Sequence, residues 1–181
     1  MAKIDRRITK SQDAIKKALI ELMSEKHFNQ ITIQDISDRA NVSRKTLYLH
    51  YMDKYDLLDK LIEEHINKLR ELQQASSDLS FIEGGRIWFE YLENNYLFFS
   101  TMLASQAALS FRNRFLEFVI DGLKDEINPK DEKNLGISEP VILRFIAAAY
   151  VEIVEWWFIN EMPYPPHQMA EQVGRLIERL V

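Results

Sequence analysis

TIQDISDRANVSRKTLYLHYMDK, residues Thr32 to Lys54, holds two helix starts and a tight turn, followed by a run of exposed-type hydrogen-bond donors. Thr32 is an N-cap for a short helix whose inner face is Ile33, Ile36 and Ala40. Ser43 caps a second helix. Between them Asn41 stands where the chain must turn back through positive φ, which Gly and then Asn tolerate best. Ser37 is small where the helices must approach, and Val42 and Leu47 are apolar plugs that fix the crossing. Two short helices joined by such a turn make a helix-turn-helix. The outward face is then Arg44, Lys45, Thr46, Tyr48 and His50, with Lys54 opening the next helix.

Those side chains suit a DNA groove. Arg44 and Lys45 match guanine O6 and N7, and the Thr46 methyl matches a thymine methyl. Tyr48 and His50 suit phosphates, which fix register rather than sequence. Lys54 would share a phosphate with the backbone N–H groups of its helix N-terminus. Arg6, Arg7 and Lys10 form a basic N-terminal cluster, read either as an arm that crosses the backbone or as a solvated tail.

The rest of the chain is helical by periodicity. A first helix is expected over about Thr9–His27, with Ile15, Ala18, Leu19, Leu22 and Met23 on one stripe. A long helix follows Asp53, and the polar run Gln73–Ser80 reads as a linker or helix end. Further helices are expected over about Phe81–Asn94, Tyr96–Leu103 and Leu109–Ile127. A loop spans Pro129–Ser138, and a helix over about Glu139–Asn160 is apolar nearly all round. The final helix carries Met169, Val173, Leu176 and Leu180. The fold class is all-α, with domains at 1–53 and 54–181: a three-helix DNA-binding head, then a helical body, to which the family resemblance given below assigns effector binding and dimerisation.

Charge agrees with that division. The 181 residues carry a net −5, but residues 1–60 hold 12 Lys/Arg against 9 Asp/Glu. A basic head on an acidic body is compatible with phosphate binding, which responds to the local field. With no Cys there is no thiolate ligand or nucleophile, and the four His show no paired metal spacing. P-loop, G-x-S-x-G and H-E-x-x-H patterns are missing, so an enzyme, a metal and a cofactor are not expected. No apolar run reads as a signal peptide or a membrane span, which leads us to expect a soluble cytoplasmic protein without a membrane partner.

Residues from about Ser11 to Leu58, above all TIQDISDRANVSRKTLYLHYMDKYDLL, resemble the DNA-binding region of the tetracycline-repressor (TetR) family of bacterial transcription regulators. Position by position, Thr32 matches the family's helix cap, Ile36 and Ala40 its core, and Val42 and Ser43 its turn and second cap. Thr46, Leu47 and Tyr48 match its recognition helix, and Lys54 with Leu57 its connecting helix. Ser37, Asn41 and Tyr51 depart from the usual Ala, Gly and Phe. The ending YVEIVEWWFINEMPYPPHQMAEQVGRLI is similar to members whose last two helices pair into a dimer.

The resemblance implies a homodimeric repressor on a palindromic operator in double-stranded DNA, with a small-molecule effector as a further partner. The competing readings are an activator of the same kind, or a protein-interaction regulator without an effector. For DNA the expected residues are Thr32, Ser43, Arg44, Lys45, Thr46, Tyr48, His50 and Lys54. For a ligand they are Trp88, Tyr91, Phe115, Glu152 and Trp156, drawn from the aromatic-rich body, with Glu152 facing a cationic group.

Overall fold

A computed structural model describes residues 2–104, 109–124 and 136–179, and all its regular structure there is helical. These residues fall into two compact units, Met1–His65 and Ile66–Val181. The boundary falls within the long fourth helix rather than at its start, because Leu57, Leu58, Leu61 and Ile62 are buried along its first turns.

In the N-terminal unit, α1 (Ala2–Glu25) starts earlier than periodicity indicates, because residues 2–8 carry no breaker. Arg6 and Arg7 therefore stand on a helix rather than on an extended arm, while their side chains lie outside the described residues. Ile15, Ala18, Leu19, Leu22 and Met23 form the buried stripe. A 3₁₀ turn at Phe28–Gln30 leads into α2 (Ile33–Arg39), followed by α3 (Arg44–Tyr48) and α4 (Lys54–Ala75). Arg39 closes the back of the unit with a two-pronged hydrogen bond to Glu25, at 2.9 and 2.8 Å.

His65 is half-buried on α4, and burial holds its imidazole down at about 4, with the nearby Glu64 charge opposing and Lys16 assisting. The unfolded chain binds this proton near pH 6.5 and the folded chain does not, so the stability it contributes is present above 6.5. It is lost as pH falls from 6.5 through 4. The loss is on the order of 2 kcal/mol, and a His65→Gln chain should be flatter than the native one in urea titrations across that interval.

In the C-terminal unit, α5 (Phe81–Asn94), α6 (Tyr96–Ala104), α7 (Leu109–Leu123), α8 (Glu139–Ile159) and α9 (Pro166–Glu178) surround an aromatic core. The loop before α8 lies largely outside the described residues. Ser80 and Glu83 start α5 with a reciprocal capping box. Ser138 occupies the N-cap position of α8 without a side-chain bond, and Pro140 stands in the first turn. Phe111 and Phe115 stack at 5.6 Å, and Phe89 meets the fully buried Trp157 edge-on at 5.2 Å. Helices α5 and α9 pack closely because residue 174 is glycine: a Cβ there would lie 3.1 Å from the Ile82 backbone. Glu161 and Met162 take positive φ to end α8, and the Trp157 indole N–H donates to the Tyr164 carbonyl at 2.8 Å. Among the described residues no helix is long and apolar enough to cross a membrane.

Candidate nucleic-acid interface

The turn between α2 and α3 is built as its residue types demand. Thr32 Oγ1 accepts from the Asp35 amide at 3.1 Å, and Asp35 accepts in return from the Thr32 amide at 2.8 Å. Lys26 adds a third donor at 2.9 Å. The Lys26 bond, and then those from Thr32, bring the Asp35 carboxyl down to about 2. Asn41 sits at φ 52°, and the Val42 amide closes the turn onto the Ser37 carbonyl at 3.0 Å. Ser37 is buried where the helices converge, and Leu47 is fully buried beneath α3.

This leaves α3 with one buried and one open face. Arg44, Lys45 and Tyr48 are exposed, and the side chains of Arg44 and Lys45 have no hydrogen bond or ion pair with any described residue. Thr46 is half-buried and its hydroxyl pairs with Ser43 Oγ at 2.8 Å, so it stiffens the cap while its methyl remains for contact. Ser43 Oγ also accepts from the Thr46 amide at 3.0 Å. His50 is half-buried, with its ring edge-on to Tyr51 at 6.2 Å.

Lys54 requires a correction. Its ammonium does not point away as a phosphate donor but donates to the carbonyls of Phe28, Asn29 and Ile31, at 3.0, 3.2 and 2.8 Å. It also lies over the Phe28 ring, 4.8 Å from the centroid. An ammonium has three protons, and three carbonyls take them. The residue ties the start of α4 to the 3₁₀ turn and holds the helix-turn-helix on its scaffold. Sequence alone shows a Lys at a helix start and cannot show that a turn 23 to 26 residues earlier presents three carbonyls to it. Sequence reasoning also did not single out Leu49, Met52 and Tyr55, which are large, apolar and exposed just after α3 in the chain.

The expected ligand residues divide differently from the expectation. Trp88 lines a cavity of about 280 Å³ in the C-terminal unit, and Tyr91, Phe115, Glu152 and Trp156 do not. Phe115 is fully buried in the ring stack of the core, and Tyr91 packs edge-on to Phe99 at 5.9 Å. Glu152 is exposed and lies 3.8 Å from Arg112, whose Nε donates to Glu155 at 2.8 Å. Trp156 is 42 % exposed on the outer face of α8. The cavity instead takes Gln73, Ser76 and Ser80 from the polar run read as a linker or helix end, together with Gly84, Gly85 and Tyr150. The available signal was Gly84–Gly85 inside a helix, which costs helix stability and points to a packing or spatial requirement.

Comparison with known proteins agrees with both halves of this geometry. Residues 15–61 match the model for bacterial regulatory proteins of the tetR family, and residues 80–179 match a transcriptional regulator C-terminal region. The HTH-type transcriptional regulator YxbF of Bacillus subtilis is 39% identical over 91% of this chain, which spans 44% of that relative's length. The dhaKLM operon transcriptional activator DhaS of Lactococcus lactis is 26% identical over 79% of this chain and 76% of its own. The crystal structure of a TetR transcriptional regulator from Streptococcus agalactiae superposes with a TM-score of 0.68 at 26% identity, covering 98% of this chain and 99% of that one. A capped helix-turn-helix with an open basic face, followed by a matching helical C-terminal region over more than half of the chain, places this protein in the tetR family of bacterial regulatory proteins.

Proposed function

We propose that this chain is a cytoplasmic, homodimeric one-component transcription regulator without enzymatic activity, acting as a repressor on a palindromic site in double-stranded DNA. The observation that carries it is the open face of α3: Arg44 and Lys45 are exposed and have no side-chain partner among the described residues, on a helix whose opposite side is locked by Leu47. These two residues and the Thr46 methyl read bases, while Tyr48 and His50 contact phosphates. A second copy related by C2 symmetry presents the same face to a half-site about one helical turn away, roughly 34–36 Å. An effector in the C-terminal unit acts on α4, since Gln73 in the last turns of that helix lines the cavity and Lys54 anchors its first turn. Regulation then requires that the effector bind two dimer states with different affinity. The activator reading draws support from the similarity to DhaS, and a reporter with the selected site placed within or upstream of a promoter separates the two signs.

The test is to select bound fragments from random DNA with the purified protein and to titrate the selected site in a mobility-shift assay at several salt concentrations. Affinity should fall steeply with salt as phosphate contacts release counterions. Arg44→Ala with Lys45→Ala should weaken binding about 100-fold, at 1–3 kcal/mol for each base contact. The melting temperature should stay unchanged, because both side chains are exposed and have no partner among the described residues. Equal affinity of the variant would remove α3 from the interface.

A further inference from the structure

The cavity of the C-terminal unit has a wall composition that restricts what it can hold. At about 280 Å³ it is roughly twice the size of an engineered apolar cavity known to admit benzene. Leu79, Phe81, Trp88, Val119, Leu123 and Ile177 supply apolar wall. Trp88 stacks on Phe118 at 5.1 Å and meets Tyr150 edge-on at 6.1 Å, which fixes an aromatic corner. A Cβ at position 84 would find only the Ser76 side chain at ordinary contact distance, and the Gln73 side chain lies against the bare backbone of Gly122.

Charge is scarce on this wall. Among the described lining residues none is Lys, Arg or His, and Glu178, the one carboxylate among them, is exposed. An anionic group inside would meet no counter-charge among the described lining residues and would lose its hydration. Two of the wall's hydroxyls are already engaged. Ser76 Oγ donates to the Leu72 and Gln73 carbonyls at 2.8 and 3.2 Å, and Ser80 Oγ pairs with Glu83 at 2.9 Å. Tyr150 differs: its hydroxyl is buried and has no hydrogen-bond partner among the described residues. Burial pushes the phenol's pKa up, so it stays protonated and presents an O–H donor. A buried donor without an acceptor is a cost to the folded state, and a ligand oxygen that reaches it from the cavity, with a small movement of the phenol that now shields it, removes that cost.

We infer that this cavity binds an uncharged, mainly aromatic molecule of roughly a dozen non-hydrogen atoms, oriented by a hydrogen bond from the Tyr150 hydroxyl to an oxygen acceptor. The effect of such a molecule on DNA rests on the regulator reading above, whereas its binding does not.

Calorimetry of the full chain at pH 7 tests binding without DNA, using 2-naphthol, 1-tetralone and coumarin as neutral bicyclic probes with one or two oxygens. Naphthalene serves as the probe without an acceptor, and 2-naphthoate as the anionic one. The oxygenated neutral probes should bind, with 2-naphthoate at least tenfold weaker. Tyr150→Phe should weaken the oxygenated probes about tenfold and leave naphthalene unchanged. The unliganded variant should melt no lower than the native chain, since it loses only an unpartnered hydroxyl. Absence of binding by all three oxygenated probes, tighter binding of 2-naphthoate, or indifference to Tyr150→Phe would each overturn the inference. A wild-type protein that takes up the probes but selects no DNA overturns the regulator reading and supports the site.

Discussion

Lys54→Ala is expected to destabilise the protein by about 2 kcal/mol, the scale of losing charge-assisted hydrogen bonds to partly solvated carbonyls. The figure is kept well below a sum over three bonds because Asn29 is exposed and its carbonyl can return to water. Urea or thermal melts check it, and Lys54→Met separates the loss of the charge, which lies over the Phe28 ring, from the loss of the aliphatic stem. The same variant discriminates between two roles for this residue. An anchoring Lys54 lowers DNA affinity by loosening the helix-turn-helix and leaves the salt dependence of binding unchanged. A phosphate-contacting Lys54 would reduce the slope of log affinity against log salt by about one. The three carbonyl bonds favour the first outcome.

The second large effect concerns α8. Val141, Phe145, Trp156 and Ile159 are exposed on this helix at 58, 66, 42 and 67 %, at the spacing of a single helical face. The opposite face is buried through Ile142, Ile146, Tyr150, Val154 and Trp157. A stripe of large apolar side chains on the outside of a folded unit marks an association surface, and the C2 homodimer proposed above would place it against its own copy. Phe145→Asp combined with Ile159→Asp should convert a dimer into a monomer in sedimentation or native mass spectrometry. The monomer itself should keep its helicity, because both side chains are already on its surface. DNA affinity should fall by at least about 100-fold, since the second head no longer binds at high effective concentration. A variant that remains dimeric would place the interface elsewhere.

How much of this was legible beforehand differs between the two units. The helix-turn-helix is specified by interactions within a few residues. A Thr with an Asp three positions on, an Asn at the turn and a Ser at the second cap each act locally, so their geometry follows from their order in the chain. The C-terminal unit is specified by packing. The sequence marks α8 as apolar on almost every side, and only the helices around it decide which side becomes core, cavity wall or outer stripe. That is why Phe115 is core and Trp156 is surface although both are aromatic, and why the cavity draws on the polar run from Gln73 to Ser80.

By itself, then, the sequence determined an all-helical chain, the two caps and the turn of its DNA-binding head, and the basic residues offered on α3. Tertiary structure decided that the Lys54 ammonium bonds to carbonyls of the earlier turn, that the head includes the first turns of α4, and that one phenol in the body has no partner among the described residues. The physical reason is range. Capping and turn preferences act over three or four residues, whereas an ammonium or a buried hydroxyl is satisfied by whichever distant segment the fold brings beside it.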